Sequence, residues 1–150
     1  MSTADILTSP IVNGTPSGSG TSIIYQKFGT GLANYTSASS ATIQDVDATN
    51  LSVAVVVPVG WKAKLDFSCS SVTSANTSTL YLYDGATRLI ETINQSTLFV
   101  PTSIRYVVTG DGKTHSFIVR YVSGVGWTYS IINDTPTRRP VFTVELVPCR

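Results

Sequence analysis

The chain has 150 residues, of which 42% are hydrophobic and 13% are charged, with a formal net charge of +1. This length corresponds to one domain with one substantial core. The near-neutral charge argues against nucleic acid or an anionic membrane as a partner, and no apolar run reaches the roughly 18 residues of a membrane helix. The first residues lack the basic start and apolar stretch of a secretory signal, so we expect synthesis in a cytoplasm.

Serine and threonine supply much of the polar surface, whereas roughly a quarter of an average soluble protein is charged. Hydroxyl side chains cost less to desolvate than Lys or Glu. This composition suits a protein whose outer faces are covered by copies of itself or by a partner. The alternative is that low charge reflects only lineage or habitat.

Residues 1–20 show no strand or helix period and are rich in Gly, Ser and Pro. This composition predicts a flexible or extended N-terminal arm. The arm is either a frayed terminus or a segment that becomes ordered on a neighbouring subunit. Four apolar residues favour the second interpretation, since a solvated tail needs no apolar anchors. These candidate partner-binding residues are Ile6, Leu7, Ile11 and Val12.

From residue 21 onward, alternating apolar and polar residues predict strands with one buried face. The clearest segment is 61–69, in which Trp61, Leu65 and Phe67 alternate with Lys and Asp residues. The Val-rich run 51–57 lacks this alternation, which predicts a strand buried on both faces. The other predicted strands are 21–27, 79–83, 87–93, 103–109, 114–121, 127–132 and 141–147.

Turn residues connect these strands. Asp84-Gly85 predicts a hairpin between the strands on either side, because glycine accepts the positive φ of a tight turn. The segment 110–113 predicts a second hairpin. Residues 29–42 and 70–77 are predicted connections. Together these signals predict an all-β fold: a single jelly-roll or β-sandwich domain of about eight antiparallel strands in residues 21–150, with an extended N-terminal arm in residues 1–20.

Candidate catalytic and metal-binding residues are sparse. The single histidine, His115, follows a glycine-rich turn, and a strand-edge role is favoured over a Ser-His-Asp triad. Asp45, Asp47 and Asn50 could ligate Ca²⁺, but they lack a dense ligand loop, which favours a solvated loop. The carboxylates that could support glycoside hydrolysis are explained by turns and polar strand faces. We therefore expect no catalytic residues, no metal and no cofactor, and a protein that is not an enzyme.

The two cysteines, Cys69 and Cys149, are 80 positions apart. Cys69 falls on the inward side of its predicted strand, which favours a buried free thiol that packs as a small hydrophobe. A disulfide that ties the last strand to the core is the alternative, since sequence does not supply the geometry.

Aromatic residues cluster on adjacent predicted strands. Such side chains pack the core or a subunit interface, or they stack on sugars. The core or interface role is favoured. The candidate trimer or partner interface residues are Tyr81, Tyr83, Trp127 and Tyr129.

Several segments carry a resemblance to a known class of proteins. In chain order these are GWKAKLDFSCS, TSTLYLYDGATRLIETI, GKTHSFIVRYVSG and RPVFTVELVPC. Over roughly residues 50–149 the chain resembles the small jelly-roll domains of tailed-bacteriophage virions, both capsid decoration (cement) proteins and tail-fibre tips. The resemblance implies a homotrimer that is made in the host cytoplasm and binds the major capsid protein on the outer surface of the head, where it stabilises the shell.

A receptor- or carbohydrate-binding module of a phage tail fibre is the alternative. A fibre subunit would normally carry more chain for a shaft and for attachment. The size of this chain and its N-terminal arm therefore favour decoration.

Overall fold

A computed structural model describes residues 21–74 and 77–149, and within them the chain is all-β. The predicted β-sandwich is confirmed: the strands form two antiparallel sheets. That part of the chain contains no helix of the length and apolarity that crossing a bilayer requires. The strands are β1 (Ile23–Phe28), β2 (Tyr35–Thr36), β3 (Gln44–Asp45), β4 (Ser52–Val56), β5 (Trp61–Thr73), β6 (Ser78–Asp84), β7 (Thr87–Asn94), β8 (Val100–Thr109), β9 (Thr114–Val122), β10 (Tyr129–Ile131) and β11 (Val141–Pro148).

The first sheet is built around β5, the longest strand. Along one edge of β5, β8 pairs with residues 62–71. Along the other edge, β11 pairs with residues 61–68 and β10 with residues 71–73. The outer positions are taken by β1, which pairs with β11, and β2, which pairs with β10.

The second sheet is built around β9 in a similar way. One edge of β9 pairs with β6, which in turn pairs with β7. The other edge pairs with β4 at residues 114–118 and with β3 at residues 120–121. Each sheet is therefore four strands wide, and two such sheets packed face to face form a jelly-roll sandwich.

The core lies between the sheets and is filled by alternate residues of the long strands. The predicted alternation is confirmed in β5 and β11, where Leu65, Phe67, Phe142, Val144 and Leu146 are at most 1% exposed. The rings of Phe67 and Phe142 meet edge to face with centroids 6.4 Å apart. Burial of this apolar surface is the main source of stability, at roughly 25 cal/mol per Å².

A buried hydroxyl network extends β5 beyond its predicted end. Residues 70–73 were predicted to lie in a polar loop, but Ser71 and Thr73 face inward and are fully buried. Ser71 Oγ accepts hydrogen bonds from Tyr129 Oη and Asn94 Nδ2, both at 2.8 Å, and lies 2.7 Å from Thr102 Oγ1. Because the inward positions are polar, their alternation carries no hydrophobic signal, although the strand continues.

The prediction of a second hairpin at residues 110–113 is wrong. β8 pairs with β5 in the first sheet, whereas β9 belongs to the second sheet, so the turn crosses between sheets. Backbone bonds hold it against the β4–β5 turn: Gly110 N donates to Trp61 O at 2.7 Å, and Gly112 N donates to Val57 O at 2.9 Å. A Cβ at Gly110 would lie 1.8 Å from Pro58 O, so this crossing requires glycine. The Asp84-Gly85 hairpin is confirmed, with Gly85 at φ +58°.

The prediction that the strand in 51–57 is buried on both faces is also wrong. β4 lies at an edge of the second sheet and pairs only with β9 among the described strands. Val53 and Val55 face the core, while Ala54 and Val56 are exposed. A run of valines forms an ordinary edge strand here, because valine favours extended backbone on a solvated face as well. The predicted connection 29–42 contains β2, and β3 follows it as a second two-residue strand.

The hydroxyl network predicts a specific cost for Ser71→Ala. This change leaves Tyr129 Oη and Asn94 Nδ2 buried without their acceptor, and we expect a loss of about 1–3 kcal/mol in the free energy of unfolding. Denaturant unfolding measures it.

Two further variants control this experiment. Ser103→Ala lies on the exposed side of β8 and should be close to neutral. The double variant Ser71→Ala/Tyr129→Phe removes both the donor and the acceptor of the Tyr129–Ser71 hydrogen bond. Its loss in the free energy of unfolding should be smaller than the sum of the losses of the two single variants. Strict additivity would contradict the network.

Candidate interaction surfaces

Four large apolar side chains are exposed at one end of the sandwich. Leu98 and Val125 are each 76% exposed, Phe99 is 47% exposed and Trp127 is 37% exposed. We name these four residues the apolar loop end. Leu98 and Phe99 lie in the β7–β8 connection, and Val125 and Trp127 lie in the β9–β10 connection.

The end of β5 holds these two connections together. Thr73 N donates to Ser96 O, and Ser74 N donates to Thr128 O, both at 2.9 Å. The connections therefore flank the last residue of β5 and the residue that follows it. Isolated exposed hydrophobes are ordinary, but several at one end of a domain are typical of an interaction surface.

The opposite end of the sandwich is formed by turns at residues 57–60, 85–86 and 110–113. Its exposed large hydrophobe in those described turns is Val59, which is 75% exposed. The backbone of residue 21 enters at this opposite end, because β1 starts at Ile23 beside Leu146. The predicted arm contacts Ile6, Leu7, Ile11 and Val12 lie outside the described residues, and their role stays a prediction.

The outer face of the first sheet forms a shallow groove of about 510 Å³. It is lined by Lys64 and Asp66 of β5, Arg105 and Tyr106 of β8, and Glu145 of β11. Arg105 Nε lies 3.0 Å from Asp66 Oδ2. The large apolar side chain on this face is Val107, which is paired with Lys64 and is 53% exposed. Tyr106 is paired with the buried Leu65, so its ring lies on the other face of the sheet. The groove therefore presents an aliphatic side chain among paired charges.

Two of the predicted interface aromatics, Tyr81 and Tyr83, lie side by side on the outer face of β6. Their rings meet edge to face at 5.7 Å. The Arg88 guanidinium covers Tyr81 at 4.7 Å, and the Arg120 guanidinium covers Tyr83 at 4.5 Å. Both rings are thus buried within the chain by cation–π contacts. A partner that approached this face would contact Arg88 and Arg120, which cover the two tyrosine rings.

The other two predicted interface aromatics differ from each other. Tyr129 is fully buried, and burial raises the pKa of its phenol to about 12. It occupies the core, one of the two roles favoured for this set. Trp127 remains partly exposed and belongs to the apolar loop end. The sequence therefore singled out one of the four loop-end residues, because Leu98, Phe99 and Val125 fall in segments without strand periodicity.

His115 forms a clasp between two turns. Its Nδ1 lies 2.6 Å from Asp84 Oδ2 and its Nε2 lies 2.8 Å from Asp111 Oδ1. The ring also stacks on Phe117 at 5.5 Å. Burial alone would lower the pKa of His115, but hydrogen bonds to the two carboxylates outweigh it and raise the pKa above the ordinary value of 6.5. Both ring nitrogens are occupied, so the geometry favours an imidazolium that ties the β6–β7 and β8–β9 turns together.

The acidic group at residues 45–50 is divided between two structural roles. Asp45 pairs with Arg120 at 2.7 Å. Asp47 accepts hydrogen bonds from the backbone of Thr49 and Asn50 and from Tyr35 Oη. Burial opposes the charge on Asp47, but hydrogen bonds from Asn50, Tyr35 and Thr49 lower its pKa overall. Among the described residues, no cluster of three His, Cys, Asp or Glu side chains is placed to hold a metal ion.

Both cysteines are free thiols. Burial raises the pKa of the Cys69 thiol to about 12, which suppresses its thiolate at neutral pH. Cys69 packs against the core from β5 as a partly buried side chain, on the inward side that the sequence predicted. Cys149 is exposed after β11, where its backbone N donates to Gly60 O at 2.8 Å.

The His115 clasp predicts a defined pH dependence of stability. Because the folded pKa is raised, the stabilisation is complete below the unfolded value of 6.5 and is lost as pH rises through the folded pKa. The difference in free energy of unfolding between the native chain and His115→Gln should therefore be largest near pH 5.5 and shrink toward pH 8.5. Lys113→Gln, a nearby change of one positive charge, should show no such trend. A difference for His115→Gln that is flat with pH would contradict the clasp.

Comparisons with known proteins identify the fold and nothing finer. No protein-family model matches the sequence, and no curated protein matches it. Among solved structures, Eiger TNF from S. frugiperda is similar over 86% of this chain and 95% of that chain, with a TM-score of 0.52 and 14% identity. A structure of infectious bursal disease virus, Gt strain, matches 86% of this chain and 38% of that chain, with a TM-score of 0.46 and 14% identity. The first match shows a shared fold, and the second is too distant to support an argument.

Proposed function

We propose that this chain is a structural virion protein that decorates the outer surface of a bacteriophage head as a homotrimer and stabilises the shell by binding the major capsid protein. The observation that carries this proposal is the apolar loop end. Leu98 and Val125 leave three-quarters of their surface in water, which is unfavourable for an isolated domain and is relieved when a partner covers them.

Trimerisation would strengthen the binding of this surface to the shell. In a cyclic trimer with its axis along the sandwich, three loop ends face the same direction and contact the shell together. Each buried leucine or valine contributes roughly 1.5–3 kcal/mol, and the second and third copies bind at a high effective concentration. The low charged fraction of 13% supports this arrangement, because fewer ionic groups must be desolvated.

The predicted arm fits the same scheme. Residue 21, which follows the arm in the sequence, lies at the end of the sandwich opposite the apolar loop end, where β1 begins. Twenty extended residues span up to roughly 66–72 Å, whereas the 13 residues of β5 extend over roughly 43 Å. An extended arm is thus long enough to carry Ile6 and Leu7 past its own subunit, at roughly 46–54 Å from residue 21. Ile11 and Val12 reach only roughly 30–36 Å and would contact a neighbour alongside the sandwich. Deletion of residues 1–20 should weaken binding to the shell.

The first test is the mass of the purified chain in solution by light scattering. A species of three times 16.0 kDa supports the proposal, and a monomer at micromolar concentration contradicts it.

The second test is co-sedimentation with shells assembled from the major capsid protein of the same genome. Leu98→Lys/Val125→Lys should weaken shell binding at least tenfold, because buried lysines add a desolvation cost, and should leave the trimer intact. Val59→Lys is the matched control, since Val59 is equally exposed at the opposite end. Equal losses in both variants would exclude the loop end as the shell contact.

The exposed Trp127 favours a second candidate, a receptor- or carbohydrate-binding module. Its ring is 37% exposed in the apolar loop end, and an exposed aromatic ring can stack on a sugar. Binding on a glycan array that Trp127→Ala abolishes, and that Tyr106→Ala retains, would support this function, because Tyr106 is an equally exposed aromatic residue on β8. An array without signal would leave decoration as the better proposal.

A further inference from the structure

The first sheet contains a recess where one neighbour of β5 replaces another. β11 begins with Val141 opposite Ser68, and β10 ends with Ile131 opposite Ser71. Cys69 and Ser70 are therefore paired with neither strand on this edge, although Ile132 N still donates to Ser70 O at 2.9 Å. Residues 133–140 connect β10 to β11 here. The recess has a volume of about 250 Å³. Its polar lining is Ser68, Ser70, Thr137, Arg138 and Arg139.

The two neighbouring arginines of this recess are held differently. Arg138 Nη2 lies 2.6 Å from Asp134 Oδ2, and its side chain is 58% exposed. This is the solvated position expected for an arginine that precedes a strand. The Arg139 guanidinium carbon instead lies 4.3 Å from the centroid of the Phe28 ring, a cation–π contact.

Arg139 lacks a partner for its charge within the described part of the chain. No carboxylate of residues 21–74 or 77–149 lies within ion-pair distance of Arg139. The ion pairs in these residues are five of arginine or histidine with aspartate and one of arginine with glutamate. Its Nε is buried without a hydrogen-bond acceptor in the described residues, although the side chain as a whole is only partly buried. A buried donor without an acceptor is unfavourable, so the fold leaves an unsatisfied N–H at this position.

We propose that this recess binds an oxyanion, a carboxylate or a phosphate group, through Arg139. The planar guanidinium offers a fork of N–H donors that matches such a group. Three hydroxyls of the recess, those of Ser68, Ser70 and Thr137, can donate to the remaining oxygens. No acidic side chain lines the recess to compete for the arginine. The ligand neutralises the unpaired charge, and the stacking on Phe28 keeps the guanidinium in place before the ligand arrives.

The test is an NMR titration of the full chain with inorganic phosphate and, separately, with acetate, at constant ionic strength maintained with sodium chloride. A small anion held by one arginine and hydroxyls binds in the millimolar range. We expect saturable shifts of the Arg139 Nε–H and of the amides of Ser70 and Thr137. Saturation by acetate alone identifies a carboxylate site, and saturation by phosphate alone identifies a phosphate site. Shifts that grow linearly with both anions overturn the proposal.

Variants separate binding from general charge effects. Arg139→Gln should abolish saturation, whereas Arg105→Gln removes a positive charge from the same sheet and should leave it unchanged. If Arg139→Gln unfolds, Ser70→Ala/Thr137→Val keeps the stacking on Phe28 and should weaken binding severalfold. Saturable binding that is unaffected by this double variant and by Arg139→Gln would place the anion elsewhere and overturn the assignment. The proposal does not depend on the trimer or on the shell.

Discussion

The structure depends on β5, because this single strand of 13 residues pairs with three other strands. β8 occupies one edge, and β11 and β10 share the other. The inward side of the strand changes from apolar at Phe67 to hydroxyl at Ser71 and Thr73. This change sets the two ends of the sandwich apart: one half of the core is held by aromatic packing, and the other by hydrogen bonds with Tyr129 and Asn94.

The interaction surfaces follow from the same strand. Where β5 ends, it positions the two connections that carry the apolar loop end. Where its edge passes from β11 to β10, it leaves the recess beside Arg139. Its middle, which is paired on both edges, forms the floor of the groove on the outer face. The recess thus comes from the change of neighbour along one edge of a continuous strand, whereas the groove lies over fully paired strands.

Sequence alternation predicted the strands correctly wherever the inward positions are apolar, as at Phe67 and Phe142. It was insufficient at Ser71, where the inward side is polar, and at Val56, where an apolar side chain lies on an exposed edge. Pairing between strands was harder to predict, because the turn at residues 110–113 has hairpin composition but crosses between sheets. The unpaired state of Arg139 depends on neighbours distant in sequence, so no local pattern could have revealed it.

The pairing of β1 with β11 has a consequence for the order in which the chain folds. These strands lie near opposite ends of the described chain, with Ile23 beside Leu146, more than a hundred positions away. The β6–β7 hairpin, in contrast, closes over a two-residue turn. Closing a short loop costs less entropy than closing a long one, and folds dominated by distant contacts form slowly. During synthesis, the second sheet can therefore begin to assemble while the first waits for its final strand to leave the ribosome.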